Sequence, residues 1–423
     1  MPIAPMATGH EMAPVKIIRS FERDTWYKSP WAKFITEITY DPFDTNAGGS
    51  NPPIDPKGQP ILHYRDFSGN DHINIPFWQR LYGTGILGDL DLEGNEESMA
   101  VYRRFVALNA LAHSVNVKDG PMSNLRLESM TADLMTQAQP ALTRWFSDKL
   151  TEYITKAFYY GLSPNLTAAA VDGGLAETVR LHPNIYIADQ GWMDWSATAA
   201  TYQTTINAGL DTLDAAATAA RKISAELLET VRNNLIKKRI APAWSEDFGE
   251  FWYMYVHPDV FKQAWRDEDI RAANDSAFRG AMKGHPLLNT KGVLYYNDFI
   301  IVENMMAGVE VHPDGTNDEV IFGPANSAQN AELNWLNNYE STDAADRNLK
   351  ANLIVGEGAM SIGQAGSMDI QVKQGAMKDY NRKSSVGATL VMGAVRNDNY
   401  DNIGTPTAVQ NYTSAVLMTN SAE

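Results

Sequence analysis

Apolar residues recur every three to five positions from Asn124 to Tyr160, and this spacing predicts the longest helix of the chain. Pro140 lies inside the stretch, and we expect it to bend or interrupt the helix because proline donates no backbone hydrogen bond. The predicted buried stripe consists of Leu127, Met130, Leu134, Ala138, Leu142, Trp145, Leu150 and Ile154.

A second helix is predicted after Ser224, whose hydroxyl is suited to cap a helix N-terminus. Acidic residues follow in its first turns, and the basic run Lys237, Lys238 and Arg239 closes it before Pro242. These charges complement the helix dipole at both ends. Its apolar stripe consists of Leu227, Leu228, Val231, Leu235 and Ile236.

Alternating apolar residues predict β-strands in the other patterned segments. HINIPF at 72–77 and AHSVNV at 112–117 both alternate, so strand-like segments flank the glycine-rich and acidic stretch between them. FWYMYV at 251–256 predicts a buried strand, and a helix is expected to begin at Pro258. VLYYNDFIIVEN at 293–304 predicts two strands around a turn at Asn-Asp.

The late part of the chain differs on either side of Ala351. Residues 308–350 are polar and poorly patterned, which is typical of an insertion. Short strands dominate from Ala351 onward, notably in SSVGATLVMGAV. Together with the predicted helices, these strands indicate an α+β protein.

The N-terminal part lacks a regular pattern. Residues 1–15 contain three prolines and indicate an extended arm, and residues 41–72 are crowded with turn-forming residues, which predicts a long loop ordered against a neighbouring molecule. Residues 16–33 have an excess of basic over acidic residues that includes Lys16, Arg19 and Arg23. This segment is a candidate contact surface, with a solvated helix face as the alternative.

The amino-acid composition excludes some classes of function and disfavours others. The chain has 423 residues, no cysteine and a formal charge of −16. The absence of cysteine excludes disulfides, thiolate metal ligands and a cysteine nucleophile. The acidic balance disfavours general binding to a phosphate backbone. We expect a protein without a signal peptide or a membrane-spanning segment.

The stretch GTGILGDLDLEGNEE at 83–97 contains two partial binding motifs, but the residues that follow each motif do not fit it. GTGILG has dinucleotide-loop spacing, but a helix should follow it, and an acidic run follows instead. DLDLEGNEESMA starts like a calcium loop, but its twelfth position is Ala100 where a bidentate Glu is required. The five carboxylates Asp89, Asp91, Glu93, Glu96 and Glu97 leave a nonstandard divalent-cation site as an alternative.

The remaining chemical motifs give no indication of an enzyme. His257 has no second histidine at metal-ligand spacing, and we expect it to end a strand while Asp259 helps to start a helix. The chain contains neither a nucleophile elbow G-x-S-x-G nor a phosphate loop G-x-x-x-x-G-K-[ST].

The order of several segments resembles one family. GDLDLEGNEESMAVYRRFVALNALAHSVNVKDGPMS, a long helix ending in FYYG, FWYMYVHPDVF and YNDFIIVEN are similar to the major capsid proteins of tailed phages of the N-four-like podophage type. LEGNEE and YVHPDVF are the most specific phrases. The resemblance covers most of residues 70–305 and, more loosely, 351–400.

The resemblance implies an α+β Hong Kong 97-like capsid fold. The implied units are an N-terminal arm (1–50), an extended E-loop hairpin region (51–118), a peripheral domain with a long spine helix (119–174), an axial domain with the insertion near 308–350 (175–360), and a return to the peripheral domain (361–423). The glycines at 83–88 would let the hairpin bend at its far end, since glycine tolerates dihedral angles that other residues avoid.

The implied function is self-assembly, as hexamers and pentamers, into an icosahedral head shell that encloses double-stranded DNA. No catalytic site, cofactor or metal is implied. Implied partners are scaffold, portal and decoration or cement proteins, with packaged DNA close by but without sequence-specific binding, and no membrane. Candidate contacts between subunits are the carboxylates of 89–97 and the basic residues Lys16, Arg19 and Arg23. The alternatives are an encapsulin-like cellular shell and a dinucleotide-dependent oxidoreductase that uses the 83–88 glycine loop.

Overall fold

The computed structural model describes the parts of the chain that build the core. These are residues 25, 29, 31, 35–39, 59–65, 72–78, 101–118, 130–161, 182–193, 202, 205–206, 208–209, 212–213, 221–245, 249–279, 293–303, 309–310, 349–366, 368–373, 383–400 and 409–421.

The strands within these ranges are numbered in chain order. They are β1 (Ile35–Thr39), β2 (Ile61–Arg65), β3 (His72–Trp78), β4 (Val101–Ala107), β5 (Asn109–Lys118), β6 (Ile185–Ile187), β7 (Gly191–Met193), β8 (Ala243–Ser245), β9 (Gly249–Val256), β10 (Val293–Tyr296), β11 (Phe299–Glu303), β12 (Val309–Glu310), β13 (Leu349–Val355), β14 (Met360–Gln364), β15 (Asp369–Lys373), β16 (Lys383–Arg396), β17 (Asn399–Tyr400), β18 (Val409–Gln410) and β19 (Ser414–Asn420).

The helices with defined bounds are α1 (Met130–Tyr160), α2 (Ala225–Lys237), α3 (Pro258–Arg266) and α4 (Glu268–Arg279). Ser224 caps α2, because its Oγ accepts a hydrogen bond from the backbone N–H of Leu227 at 3.3 Å. His257 caps α3 from the end of β9, and Pro258 follows at the first helical position. The predicted Ser224 cap, the helix beginning at Pro258 and the α+β class are confirmed, whereas the cap by His257 was not predicted.

A six-stranded sheet carries α1. Its strands run in the order β1-β2-β14-β16-β15, and β5 pairs with the N-terminal part of β16. β1, β2 and β14 are parallel, whereas β16 is antiparallel to β5, β14 and β15. The buried face of α1, which includes Leu142, Phe146, Leu150 and Ile154, packs toward β5 and β16.

A nine-stranded sheet forms the second layer. Its order is β10-β11-β9-β13-β19-β6-β7, with β12 on β13 and β8 on β9. β9 is buried from Phe251 to Val256, and β19 is buried along its whole length. Strands buried on both faces are continuous apolar runs, which is why FWYMYV could be recognised in the sequence.

Several expectations from the sequence need correction. α1 is continuous through Pro140, so the predicted interruption is wrong. Residues 61–65 of the predicted loop form β2, and Ile61 is fully buried in the chain's own sheet rather than lying on a neighbour. The partner of β3 is β4 rather than the alternating run 112–117, which belongs to β5 and pairs with β16. Ile236 is 50% exposed instead of buried.

The Ala/Thr-rich stretch 196–220 contributes a helical face that the sequence did not predict. The described positions between 202 and 213 are helical, and their buried residues follow helical spacing. These residues are Tyr202, Ile206, Gly209 and Leu213.

Gly356 lies where the chain passes from the nine-stranded to the six-stranded sheet. Its N–H donates to the carbonyl of Thr413 at 2.7 Å, and the N–H of Ala241 donates to the carbonyl of Tyr412 at 2.6 Å. A Cβ on Gly356 would lie only 1.8 Å from the carbonyl oxygen of Ala241. Only glycine therefore lets these three backbone segments cross.

Gly356→Ala is expected to lower the free energy of unfolding by roughly 1–3 kcal/mol or more, since a backbone segment must move to admit the methyl group. Thermal unfolding of the unassembled subunit measures this. Gly387→Ala is the matched control, because a Cβ there meets its nearest atom at 3.4 Å. Equal stability of the two variants would contradict the close crossing.

Candidate functional site

The strands β3 and β4 form a two-stranded hairpin that, within the described residues, shares no strand pairing with either large sheet. β3 and β4 pair in antiparallel register from His72 opposite Ala107 to Trp78 opposite Val101. Seven residues in each strand give a ribbon about 23 Å long. Pro76 is tolerated because each strand of such a ribbon has an open edge.

The base of the hairpin is fixed to the six-stranded sheet. β4 lies against β14 and β16, and β5 begins two residues after β4 ends. On β5, the exposed imidazole of His113 stacks on Trp145 of α1, with ring centroids 4.1 Å apart. The direction of the hairpin is therefore set by β5, β16 and α1.

The candidate contact residues from the sequence lie outside the described residues. These are Asp89, Asp91, Glu93, Glu96 and Glu97, which follow β3 and precede β4 in the chain, and Lys16, Arg19 and Arg23. The glycines of 83–88 also lie outside them. The structure brings together the two strands on either side of the acidic stretch.

A buried ion pair joins the end of α1 to the end of β16. The side chains of Arg396 and Asp398 are both fully buried, and Arg396 Nη2 lies 2.7 Å from Asp398 Oδ2. Arg396 Nη1 also donates to the carbonyls of Phe158 and Tyr159 at 2.7 and 2.9 Å. The guanidinium thus satisfies carbonyls that have no partner within the helix and meets the negative end of its dipole.

The same polar network reaches the nine-stranded sheet. Asn411 Nδ2 donates to Asp398 Oδ1 at 2.7 Å, and Asn411 Oδ1 accepts from the N–H of Ser414, the first residue of β19, at 2.7 Å. Asn184, just before β6, donates its side-chain amide to the carbonyls of Asn411 and Ser414. We call the cluster of Arg396, Asp398, Asn411 and Asn184 the joint, because it connects α1, β16, β19 and β6.

Trp31 adds an apolar clamp beside the joint. Its ring lies 5.1 Å from Phe158 of α1 and 4.2 Å from Tyr255 of β9, centroid to centroid. Its indole N–H donates to Thr155 Oγ1 at 3.1 Å. The hydroxyl of Tyr159 also donates to the carbonyl of Ala351 on β13 at 2.9 Å. The last turn of α1 is thereby held on the nine-stranded sheet.

Burial keeps two histidines neutral. Burial, and secondarily the charge of Arg396, lowers the pKa of His182 well below its usual value. His182 Nδ1 accepts from the N–H of Asn184, so the proton lies on Nε2, which faces Ser414 Oγ at 3.0 Å. Burial and the nearby Lys350 lower the pKa of His257 to about 4, against the opposing effect of Asp259.

The described residues contain no group of three or more histidine and carboxylate side chains arranged to hold a metal ion. Among the described helices, none has a stretch long and apolar enough to cross a bilayer.

Sequence reasoning missed Arg396 and Asp398. The only local signal is the polar run RNDN at 396–399 directly after the apolar strand SSVGATLVMGAV. An arginine and an aspartate that follow a buried strand are candidates for a buried pair, because each needs the other when removed from water.

A family model described as phage capsid protein matches residues 54–421. No curated protein matches the sequence.

Three solved structures share the fold at low sequence identity. The capsid asymmetric unit of cyanophage Pam1 is 16% identical, with a TM-score of 0.58 and 93% of each chain covered. The capsid of Ralstonia phage GP4 is 14% identical, with a TM-score of 0.56 and 87% of this chain and 88% of that chain covered. The acidic stable capsid of Helicobacter pylori bacteriophage KHP30 is 12% identical, with a TM-score of 0.53 and 93% and 92% covered.

Asp398→Asn is expected to lower the free energy of unfolding by about 3–5 kcal/mol, since it leaves a buried guanidinium without its counter-charge. Chemical denaturation of the unassembled subunit measures the loss. Asp369→Asn, at an exposed position on β15, is the matched control and should stay within about 0.5 kcal/mol of the unsubstituted protein. A loss for Asp398→Asn no larger than the control would contradict the role of the pair.

The buried histidines predict a pH dependence. In the unfolded chain His182 titrates near pH 6.5, whereas the folded ring takes up its proton at much lower pH. The unfolded state therefore binds more protons below pH 6.5, and stability falls as pH falls. Urea unfolding at pH 7, 6 and 5 should show this decline. His182→Gln should reduce its slope by up to about 1.4 kcal/mol per pH unit, and an unchanged slope would contradict the assignment.

Proposed function

The chain belongs to the phage capsid protein family and forms a capsid shell, and we propose that it assembles as pentamers and hexamers into an icosahedral phage head around double-stranded DNA. The observation that carries this proposal is the β3–β4 hairpin. A two-stranded ribbon is at best marginally stable alone in water, so a ribbon of this length is suited to lie on another molecule.

The proposed layout follows the Hong Kong 97-like fold. The six-stranded sheet with α1 is the peripheral domain, and α1 is its spine helix. The nine-stranded sheet is the axial domain, and it includes the C-terminal strand β19 as well as residues of 175–360. β3 and β4 are the stem of the E-loop. The N-four-like podophage type stays part of this proposal.

Charge supports the proposed contents of the shell. A formal charge of −16 makes the subunit repel phosphate backbones, and a repelling wall lets packaged DNA slide. We propose that DNA is retained by enclosure without sequence-specific contacts. Scaffold, portal and decoration or cement proteins are the proposed partners in the host cytoplasm, and the scaffold is expected to be a separate protein.

The family match favours a phage head over the alternatives. An encapsulin-like shell would have the same architecture, but it would belong to a cell rather than to a phage. An oxidoreductase would need the 83–88 glycine loop to bind a dinucleotide, whereas capsid membership supports a structural role without a catalytic site.

Electron microscopy of the expressed chain tests the proposal. Closed or open shells with five-fold and six-fold units, and no cofactor absorbance, are the expected result. A monodisperse small oligomer that binds a dinucleotide would contradict the proposal, and loss of that binding on substitution of Gly83 and Gly85 would support the enzyme alternative.

The acidic stretch Asp89–Glu97 is proposed to contact basic side chains of an adjacent subunit, with Lys16, Arg19 and Arg23 as candidates. Five carboxylates without a base repel one another unless water, cations or basic groups surround them. Each exposed pair contributes only ~0–1 kcal/mol, but the contact is repeated in every subunit.

Replacing Glu93, Glu96 and Glu97 with Gln should therefore weaken assembly at low salt and reduce its dependence on salt, which screens exposed charges beyond ~8–10 Å. Light scattering against salt concentration measures both effects. Asp148→Asn, Glu303→Gln and Asp369→Asn together, at exposed positions outside both the acidic stretch and α2, are the matched control because they change the net charge equally. If the 93/96/97 variant keeps the salt response of the unsubstituted protein, simple solvation explains the acidic stretch.

A further inference from the structure

The nine-stranded sheet carries two exposed patches of opposite charge at the two ends of α2. The acidic patch comprises Glu226, Glu229, Trp265, Asp267, Glu268 and Asp269, and the basic patch comprises Ile236, Lys237, Lys238, Arg239 and Trp244. All of these residues are exposed except Asp267, which is half-buried.

Hydrogen bonds hold the acidic patch together. Asp267 Oδ2 accepts from the N–H of Ala225 at 3.3 Å, and its Oδ1 accepts from the N–H of Asp269 at 3.0 Å, so the N-termini of α2 and α4 meet there. Tyr296 donates to Glu229 Oε1 at 3.0 Å. Burial, this hydrogen bond and the charges of Glu229, Asp269 and Asp267 raise the pKa of Tyr296 to about 12.

The acidic patch has a clear excess of negative charge. It contains five carboxylates, two on α2, two on α4 and that of Asp267 between α3 and α4, while the basic residues of α3 and of α4 up to residue 271 are Lys262, Arg266 and Arg271. Carboxylates at helix N-termini are stabilised by the helix dipole, so this excess costs the folded chain little.

The basic patch begins at the C-terminal end of α2. Lys237, Lys238 and Arg239 are consecutive and exposed, and residues 230–245 contain no Asp or Glu. The ammonium group of Lys238 lies 5.6 Å from the centroid of the Trp192 ring, which fixes one edge of the patch. Glu250, opposite Trp244 across β8 and β9, is a carboxylate at its border.

Each patch also presents large apolar side chains to solvent. In the described ranges the exposed large hydrophobic residues are Ile236, Trp244 and Trp265, with 50%, 52% and 45% of their surface accessible. Single exposed apolar residues are common on proteins, but these all lie in one patch or the other. Protein–protein interfaces commonly have large apolar anchor residues at the centre and polar or charged residues at the rim.

We propose that the basic patch of one subunit binds the acidic patch of the next subunit in a head-to-tail ring within each capsomer. This inference rests on the proposed function, and it assigns the partner of each patch as a second copy of this chain. α2 spans about 20 Å, well beyond the screening length of about 8–10 Å, so the two patches of one subunit neutralise each other weakly.

Opposite charges are compatible with two symmetries. In an isologous two-fold contact, the basic patch of each subunit would meet the acidic patch of the other, so both patches would be used within one dimer. A heterologous contact joins two different surfaces and closes into a ring when the rotation permits. The proposed function requires capsomers of five or six subunits, and the heterologous contact is the one that builds them.

Charge reversal tests the contact. Lys237→Glu and Glu268→Lys should each raise the critical concentration for assembly by about tenfold, as an attractive contact becomes repulsive. The chain that carries both substitutions should assemble like the unsubstituted protein. Arg144→Glu, Asp148→Lys and their combination are the matched controls, because both positions are exposed on α1 outside the patches.

Mixing the two single variants gives a second readout. An alternating ring restores every contact only when its number of subunits is even. Hexamers should therefore form from the equimolar mixture, whereas pentamers and closed shells should be depleted. Electron microscopy and analytical ultracentrifugation distinguish these products.

The possible outcomes separate the two proposals. Failure of the unsubstituted chain to assemble would contradict the proposed function. Normal assembly of the unsubstituted chain together with single variants no weaker than their controls, or with no rescue in the double variant, would overturn the patch contact. Circular dichroism checks folding, and Lys237→Gln and Glu268→Gln, with smaller expected effects, replace any reversal that does not fold.

Discussion

The buried guanidinium of Arg396 is the interaction on which the arrangement of the two sheets depends. It faces the last carbonyls of α1 and the carboxylate of Asp398, so helix dipole, ion pair and hydrogen bonds all act on one group. Removing a charge from water is costly, and the interior compensates only when every donor is satisfied. This requirement leaves α1 and β16 little freedom to move relative to each other.

The joint is connected to the β3–β4 hairpin through β16 and β5. β16 pairs with β5 over most of its length, and β5 continues from β4, so the hairpin stem is connected through paired strands to Arg396. On the other side, Asn411 and Asn184 carry the network into β19 and β6. A shell protein must present its contact surfaces in a defined arrangement, and this path of paired strands and hydrogen bonds connects the nine-stranded sheet to the hairpin.

Local patterns in the sequence correctly predicted the features that adjacent residues determine, such as helix caps, strand ends and turns. Ser224 caps α2, His257 directly follows β9, and the turn at Asn297 and Asp298 has positive φ angles of 45° and 67°. β2 was missed because its neighbours are turn-forming residues, although its pairing with β14 decides its structure. The ion pair of Arg396 with Asp398 has only the polar run RNDN as a signal in the sequence, because the helix end that Arg396 contacts is distant in the chain.

The edge of the nine-stranded sheet explains why charged side chains, rather than strand pairing, suit contacts near the acidic patch. An open edge strand such as β10 would pair with strands of other molecules without geometric control. Asn274 of α4 closes it, because its side-chain amide donates to the carbonyl of Tyr295 at 3.1 Å and accepts from the N–H of Tyr295 at 2.9 Å. With this pair of backbone groups occupied, α4 presents the acidic residues that follow Asp267. Charged contacts are weak and reversible one by one, so misplaced subunits can leave before a shell closes.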